Sequence, residues 1–262
     1  MSSARAIPAR LASLGWGLLL PVIVAAIWQG AASNALIDPT QWASPVLVAQ
    51  GFVTQAQDPQ FWADFGSSLL RFASGTAIGV LLGLPMGLAL GLSATLRGYL
   101  SPTLDATKAV PFFTWVPLIA VWVGSGEAGK ITFIALASSL PVLFNSMEGA
   151  FSVPPAHREL GRFLRLGWFT TLRRIILPGA APGILRGTHM ALLYGWLATI
   201  GAEYLFEAGT GIGTNIMGAR EMFQLDIVVV DMIAIGLVGI ALDAVAGVGE
   251  QYVLRWQPRV DS

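Results

Sequence analysis

Long apolar runs alternate with short polar ones along this chain, and the runs have the length of a membrane-crossing helix. A hydrocarbon core of roughly 30 Å takes about 20 apolar residues in helical form. Six runs meet that length, at 14–35, 69–92, 100–123, 131–150, 184–206 and 227–254. The pattern predicts an all-α polytopic membrane protein with six transmembrane helices in one domain, 1–262. Pro111 and Pro117 interrupt the third run, since proline removes a helix donor, and the sixth is long enough to tilt or protrude. Between the first two runs, the stretches 45–52 and 61–65 read as short helices lying at the membrane interface, a depth that suits Trp42 and Trp62.

Within the second run, glycine recurs at every fourth position: Gly75, Gly79, Gly83, Gly87 and Gly91. In lipid, a stripe without side chains lets another helix backbone approach closely. The partner is a helix of the same protomer or the seam of a dimer.

The polar stretch after run four has its own pattern. Leu160, Phe163, Leu164, Leu166, Leu172 and Ile175 recur at helical spacing among Arg158, Arg162, Arg165, Arg173 and Arg174, and Ile176-Leu177-Pro178-Gly179 closes the segment. This predicts a helical loop against which a cytosolic partner packs.

Composition supports the membrane assignment: of 262 residues 55% are hydrophobic and only 11% charged. Lys+Arg and Asp+Glu balance at 15 each, so the placement of charge carries the information. Arg5, Arg10, Arg97, the five loop arginines, Arg255 and Arg259 all fall on one side of the six-span topology. The other side receives Lys130 and Arg220, and its first loop holds Asp38, Asp58 and Asp64 with no cation before Arg71. Both termini are therefore expected in the cytoplasm. A cleaved signal peptide is the rival for the first run, whose length favours an anchor.

The chain has no cysteine and only His157 and His189, which excludes thiol chemistry and leaves no metal cluster to expect. Ionisable groups within spans cost about 2.5 to 3.5 kcal/mol each, so Asp105, Lys108, Asp231 and Asp243 need an explanation. Asp105 and Lys108, three apart on a helix, either neutralise each other or place Lys108 beside the Pro111 break on a path for an anionic solute. Asp231 lies near enough to the outer surface to be hydrated, and Asp243 and Glu250 share one helical face. His189 reads as a packed or hydrogen-bonded side chain. Glu203 and Glu207 are either a solvated helix end entering the turn Gly209-Thr210-Gly211-Ile212-Gly213 or a carboxylate pair for acid/base chemistry or cation binding, and Glu203 is a candidate for the translocation pathway. That turn is no phosphate loop, because no Lys-Ser/Thr follows it, and the sequence carries no recognised catalytic motif.

Several segments are together specific to a family. They are Ser67-Ser68-Leu69-Leu70-Arg71, Pro117-Leu118-Ile119 with Val121-Trp122-Val123-Gly124 and Gly126-Glu127, and the loop ending Ile176-Leu177-Pro178-Gly179-Ala180-Ala181-Pro182. Gly211-Ile212-Gly213, Ala219-Arg220-Glu221-Met222-Phe223-Gln224-Leu225-Asp226 and Leu254-Arg255-Trp256-Gln257-Pro258 continue the set. The chain resembles the permease subunits of bacterial ATP-binding-cassette importers, in the branch handling sulfonates, taurine and nitrate. The last two segments are most similar to aliphatic sulfonate permeases.

The resemblance implies the type I importer permease fold in the bacterial cytoplasmic (inner) membrane, with 153–178 as a coupling loop seated on an ATPase. Counting back from Leu177-Pro178, Glu159 matches the signature glutamate, Leu160 and Gly161 stand where alanines are usual, and Arg165 takes the usual glycine position. The turn is then made either by Gly167 in a shifted register or by Arg165 itself. The resemblance further implies a homodimer, two ATPase subunits carrying ATP and magnesium, and a periplasmic or lipid-anchored solute-binding protein. The binding protein would meet the first outer loop and 209–226. No cofactor on this chain and no nucleic-acid partner are expected, and the role is non-catalytic. A proton-coupled secondary transporter is the alternative from a different class, using Asp231, Asp243 or Glu203.

Overall fold

The computed structural model describes residues 6–34, 36, 38, 42–206 and 209–256. They form helices α1 (Ala6–Ser33), α2 (Pro45–Gln57), α3 (Pro59–Leu92), α4 (Ala94–Ala109), α5 (Val116–Trp122) and α6 (Glu127–Phe151). After these come α7 (Pro155–Phe163), α8 (Trp168–Thr171), α9 (Leu177–Leu205), α10 (Ile212–Glu221) and α11 (Leu225–Val253). A 3₁₀ turn, Phe112–Trp115, precedes α5, and a π turn, Leu172–Ile176, precedes α9. No strand occurs among the described residues.

Three of these helices, α3, α6 and α11, are long and apolar enough to cross a membrane. The third predicted span is not one straight helix. Ala94–Ala109 and Phe112–Trp122 meet at 97°, making a broken span or a re-entrant loop. The bend falls at Pro111 alone; Pro117 sits in the first turn of α5, where its missing N–H costs nothing. The first and fifth predicted spans are helical, as α1 and α9. Where its side chains are described, α1 is apolar over Leu19–Ser33, whereas α9 falls below the same standard in hydropathy. A second correction concerns residues 61–65. They are no separate interfacial helix but the opening turns of α3, which starts at Pro59.

The described chain forms two compact units, residues 1–62 with 215–234, and residues 63–214 with 235–262. In the first, Ser44 caps α2 by accepting from the Leu47 N–H at 3.3 Å, with Pro45 in the first turn. Ala43, Val48 and Val230 form its small core with Trp28, Leu225 and Val229. Asp231 is buried here, not hydrated as the sequence suggested. It accepts from the Asn215 side-chain amide at 2.8 Å and from that of Gln55 at 3.4 Å, which satisfies the carboxylate without water.

The second unit is centred on α6, which packs between glycine faces of α3 and α9. A Cβ at Gly75 would lie 2.6 Å from Ile134, one at Gly79 2.6 Å from the Ala135 carbonyl, and one at Gly83 2.5 Å from the Ser139 carbonyl. Gly87 and Gly91 meet the Leu143 and Met147 carbonyls in the same way. Thus the five-glycine row lies against α6 of its own protomer. On α9, Gly183 stands against the Asn145 carbonyl and Gly187 against Pro141 and Asn145. Backbones this close exclude lipid and gain dispersion contact. Phe133, Ile134 and Ala137 of α6 pack with Ala198, Ala202, Phe206 and Ile119 to complete the core.

Candidate functional site

Segment 153–178 folds as α7, a turn, α8 and the π turn. Arg165 has φ +49°, and the Leu166 N–H donates to the Gly161 carbonyl at 3.0 Å. This six-to-one bond around a left-handed residue is a Schellman termination of α7. Arg165 therefore makes the turn itself, in a conformation that favours glycine. Gly167 is extended, at φ −63° and ψ 156°, and serves as N-cap of α8. Gly161 faces inward: a Cβ there would lie 3.2 Å from Ile175 and 3.3 Å from Thr171. Its lack of a side chain lets α7 lie against the chain that returns. Leu177 and Pro178 open α9. Pro178 has no N–H to give, and the preceding turn widens, so that Leu177 donates to the Leu172 carbonyl.

Glu159 and Leu160 are exposed on α7. Beside them Phe163 is 85% exposed, and Leu164, Trp168 and Phe169 stand out as well. Five large apolar side chains in one helical hairpin form the kind of patch that marks an interaction surface. Arg158 belongs to α7, and its side chain lies outside the described residues, as does that of Arg162.

At the Leu205 end of α9 a buried ionic cluster joins α3, α6, α9 and the start of α10. Arg71 holds Glu127 through two bonds, Nε at 2.6 Å and Nη2 at 2.8 Å, while its Nη1 donates to Glu203 at 2.6 Å and to the Thr210 carbonyl at 2.6 Å. Glu203 also accepts from the Ser68 hydroxyl at 2.7 Å and the Gly213 N–H at 2.9 Å. Ser68 in turn accepts from Ile212 at 3.0 Å, and Asp64 accepts from the Gly211 N–H at 3.1 Å. The α10 amino end is thereby capped by carboxylates and a hydroxyl, the arrangement its dipole favours. Gly209 and Gly211 have φ of +113° and +136°, and a side chain at Gly211 would collide with the Glu203 carboxylate. Glu203, at 2% exposure, is not a solvated helix end. The cluster holds it. Glu207 lies outside the described residues. Lys130 is buried close by, its Nζ 3.0 Å from where a Cβ of Gly209 would be.

Sequence reasoning missed Arg71, Lys130, Ser68 and Asp64 as members of one cluster. A signal existed: Arg71 and Lys130 are cations on the side that the charge rule predicts to be poor in them.

The structure brings Lys108 and Pro111 to a common cavity of about 350 Å³, between the end of α4 and the middle of α6 and α9. The Lys108 ammonium lies 3.4 Å from Asp105 and 3.7 Å from the centre of the Phe144 ring, so pairing and cavity lining occur together. On another face of α9, His189 Nε2 is 2.9 Å from Asp243 and its Nδ1 3.7 Å from Glu250, both on α11. Among the described residues no group of three or more such side chains could hold a metal ion.

Over residues 79–255 the chain matches the family described as binding-protein-dependent transport system inner membrane component. It is 36% identical over 239 residues to the putative aliphatic sulfonates transport permease protein SsuC of Escherichia coli, covering 91% of this chain and 90% of that one. It is 33% identical over 245 residues to the Bacillus subtilis protein of the same name, covering 93% and 88%. It is 30% identical over 226 residues to the E. coli taurine transport system permease protein TauC, covering 84% and 82%. The fold resembles a chain of the inward-facing MetNI methionine ABC transporter, with a TM-score of 0.64 at 16% identity, over 75% of this chain and 99% of that one.

Proposed function

The chain belongs to the binding-protein-dependent transport system inner membrane components, and on that premise we propose that it is the non-catalytic transmembrane subunit of an ATP-driven importer of aliphatic sulfonates. One observation carries the ATP-driven part: the apolar hairpin of Leu160, Phe163, Leu164, Trp168 and Phe169, exposed beside Glu159 and continuous with α9. A separate ATPase is the partner that fits it, because this chain has no nucleotide-binding sequence of its own. ATP and magnesium would bind on that ATPase. Each copy offers one such hairpin, so two ATPases call for two copies, related by a two-fold axis with the pathway near it. Six spans in the bacterial inner membrane, with both termini and 153–178 in the cytoplasm, satisfy the arginine distribution. A soluble or lipid-anchored binding protein would deliver the solute to the opposite face.

The names of the two SsuC relatives favour an aliphatic sulfonate over taurine or nitrate. The test is uptake of a radiolabelled alkanesulfonate by proteoliposomes containing the chain, its ATPase and its binding protein. Uptake should vanish when the phosphate-loop lysine of the ATPase is replaced. Uptake indifferent to that change would overturn the ATP-driven assignment in favour of a secondary transporter.

A further inference from the structure

Where α4 stops at the Pro111 bend, the cavity of about 350 Å³ combines one cation, three polar side chains and an aromatic wall. Its size falls within the range of small-molecule pockets, roughly 300 to 1,000 Å³. Lys108, Thr107, Asn145 and Tyr194 supply the polar groups, the Thr107 hydroxyl being already bonded to the Thr103 carbonyl, and Phe112, Phe144 and Met190 much of the apolar lining. We propose that this cavity is a solute subsite on the permease itself, taking an organic monoanion with its sulfonate at the Lys108 ammonium and its alkyl chain along Phe112, Phe144 and Met190. The proposal rests on the importer reading above and adds to it a place where this chain, and not only a binding protein, selects the solute.

The electrostatics favour exchange over permanent occupancy. Lys108 and Asp105 meet through a single contact at 3.4 Å, beyond the usual length of a charge-assisted hydrogen bond, so the pair is loosely held. An arriving sulfonate therefore displaces Asp105 at small cost. Meanwhile the Phe144 ring, 3.7 Å from the ammonium, keeps the cation over the cavity whichever anion it holds. A lysine point charge also suits a three-oxygen head group that must leave again, because it imposes no two-pronged geometry. The Asn145 amide is fixed by donating to the Pro141 carbonyl at 2.9 Å, and so stands as an oriented polar group on the α6 wall. The apolar lining rewards chain length, by roughly fourfold in affinity for each methylene removed from water, and so should separate butanesulfonate from ethanesulfonate.

The experiment is equilibrium binding of radiolabelled butanesulfonate to the purified permease–ATPase complex without binding protein, run beside the uptake assay described above. Saturable binding is expected, weakened about tenfold by Lys108→Ala as for the loss of one charge-assisted contact and largely retained in Lys108→Arg. Asp105→Asn should change affinity in the opposite direction, tightening it by removal of the competing carboxylate. Ethanesulfonate should bind more weakly than butanesulfonate. Co-purification of the ATPase monitors assembly of each variant. No saturable binding in the wild type would overturn the subsite, and so would Lys108→Ala and Asp105→Asn that alter assembly alike while leaving affinity unchanged. With ATP-dependent uptake intact, either result removes the subsite and leaves the importer standing. Saturable binding together with ATP-independent uptake removes the importer instead.

Discussion

Arg71 neutralises a carboxylate that has no access to water. Glu203 is buried at 2% exposure, and the guanidinium spans it and Glu127 while also reaching the Thr210 carbonyl. Removing one member of such a pair leaves the other charge buried, at a cost of about 3 to 5 kcal/mol. Arg71→Met should therefore lower the thermal midpoint of the detergent-solubilised protein sharply, and adding Glu203→Gln should recover much of the loss. A single variant that melts like the wild type would show that the cluster does not hold these helices. In the sequence Arg71 stood out only as the close of a family segment and as the first cation after the outer loop. Its partners are 56 and 132 positions away, beyond any spacing rule for one helix. Glu203 was misread for a related reason: the glycine-rich turn beside it suggested solvent, whereas in the structure that turn folds back and offers the Gly213 N–H to the carboxylate. Asp231 repeats the lesson, since Gln55 approaches it from 176 positions away.

At the scale of elements, the glycine row on α3 was legible because a four-residue period has one structural meaning in a helix. What the period does not contain is the partner, which the structure identifies as α6. Gly83→Ala would set a Cβ 2.5 Å from the Ser139 carbonyl, and backbone cannot yield as a side chain can. The expected loss is about 1 to 3 kcal/mol. Gly66→Ala, on the same helix with nothing within 4 Å of the added carbon, should be neutral or stabilising by roughly 0.5 to 1 kcal/mol. Comparing the two thermal midpoints checks the contact, and equal midpoints would remove it. The third predicted span shows where the same kind of reasoning fails. Pro111 bends the chain and Pro117 starts a helix, and only the backbone around each proline separates the two roles. Likewise the aromatic turns 61–65 read as a separate element because hydropathy marks where lipid ends, whereas hydrogen bonding decides where a helix ends.

At the scale of the whole molecule, apolar run lengths and the arginine-rich interval outlined a membrane permease, and the quoted segments identified its family. Only part of the six-span scheme was visible as simple hydrophobic helices, because α9 trades hydropathy for the glycines that seat it on α6. The 153–178 segment yields the plainest global prediction. Glu159→Lys, or deletion of 158–167, should abolish co-purification of the ATPase while membrane insertion persists. Normal co-purification would remove that surface from the docking role.

From Trp168 to Leu205 the chain is helical throughout, through α8, the π turn and α9, a column of about 57 Å at 1.5 Å per residue. The apolar hairpin sits at its foot and Glu203 near its head. On the proposed docking of the hairpin, this column would be the unbroken helical path from the ATPase side to the ionic cluster. The π turn at Leu172–Ile176 lies close to the hairpin, so a change of angle there would give its longest displacement at the Leu205 end.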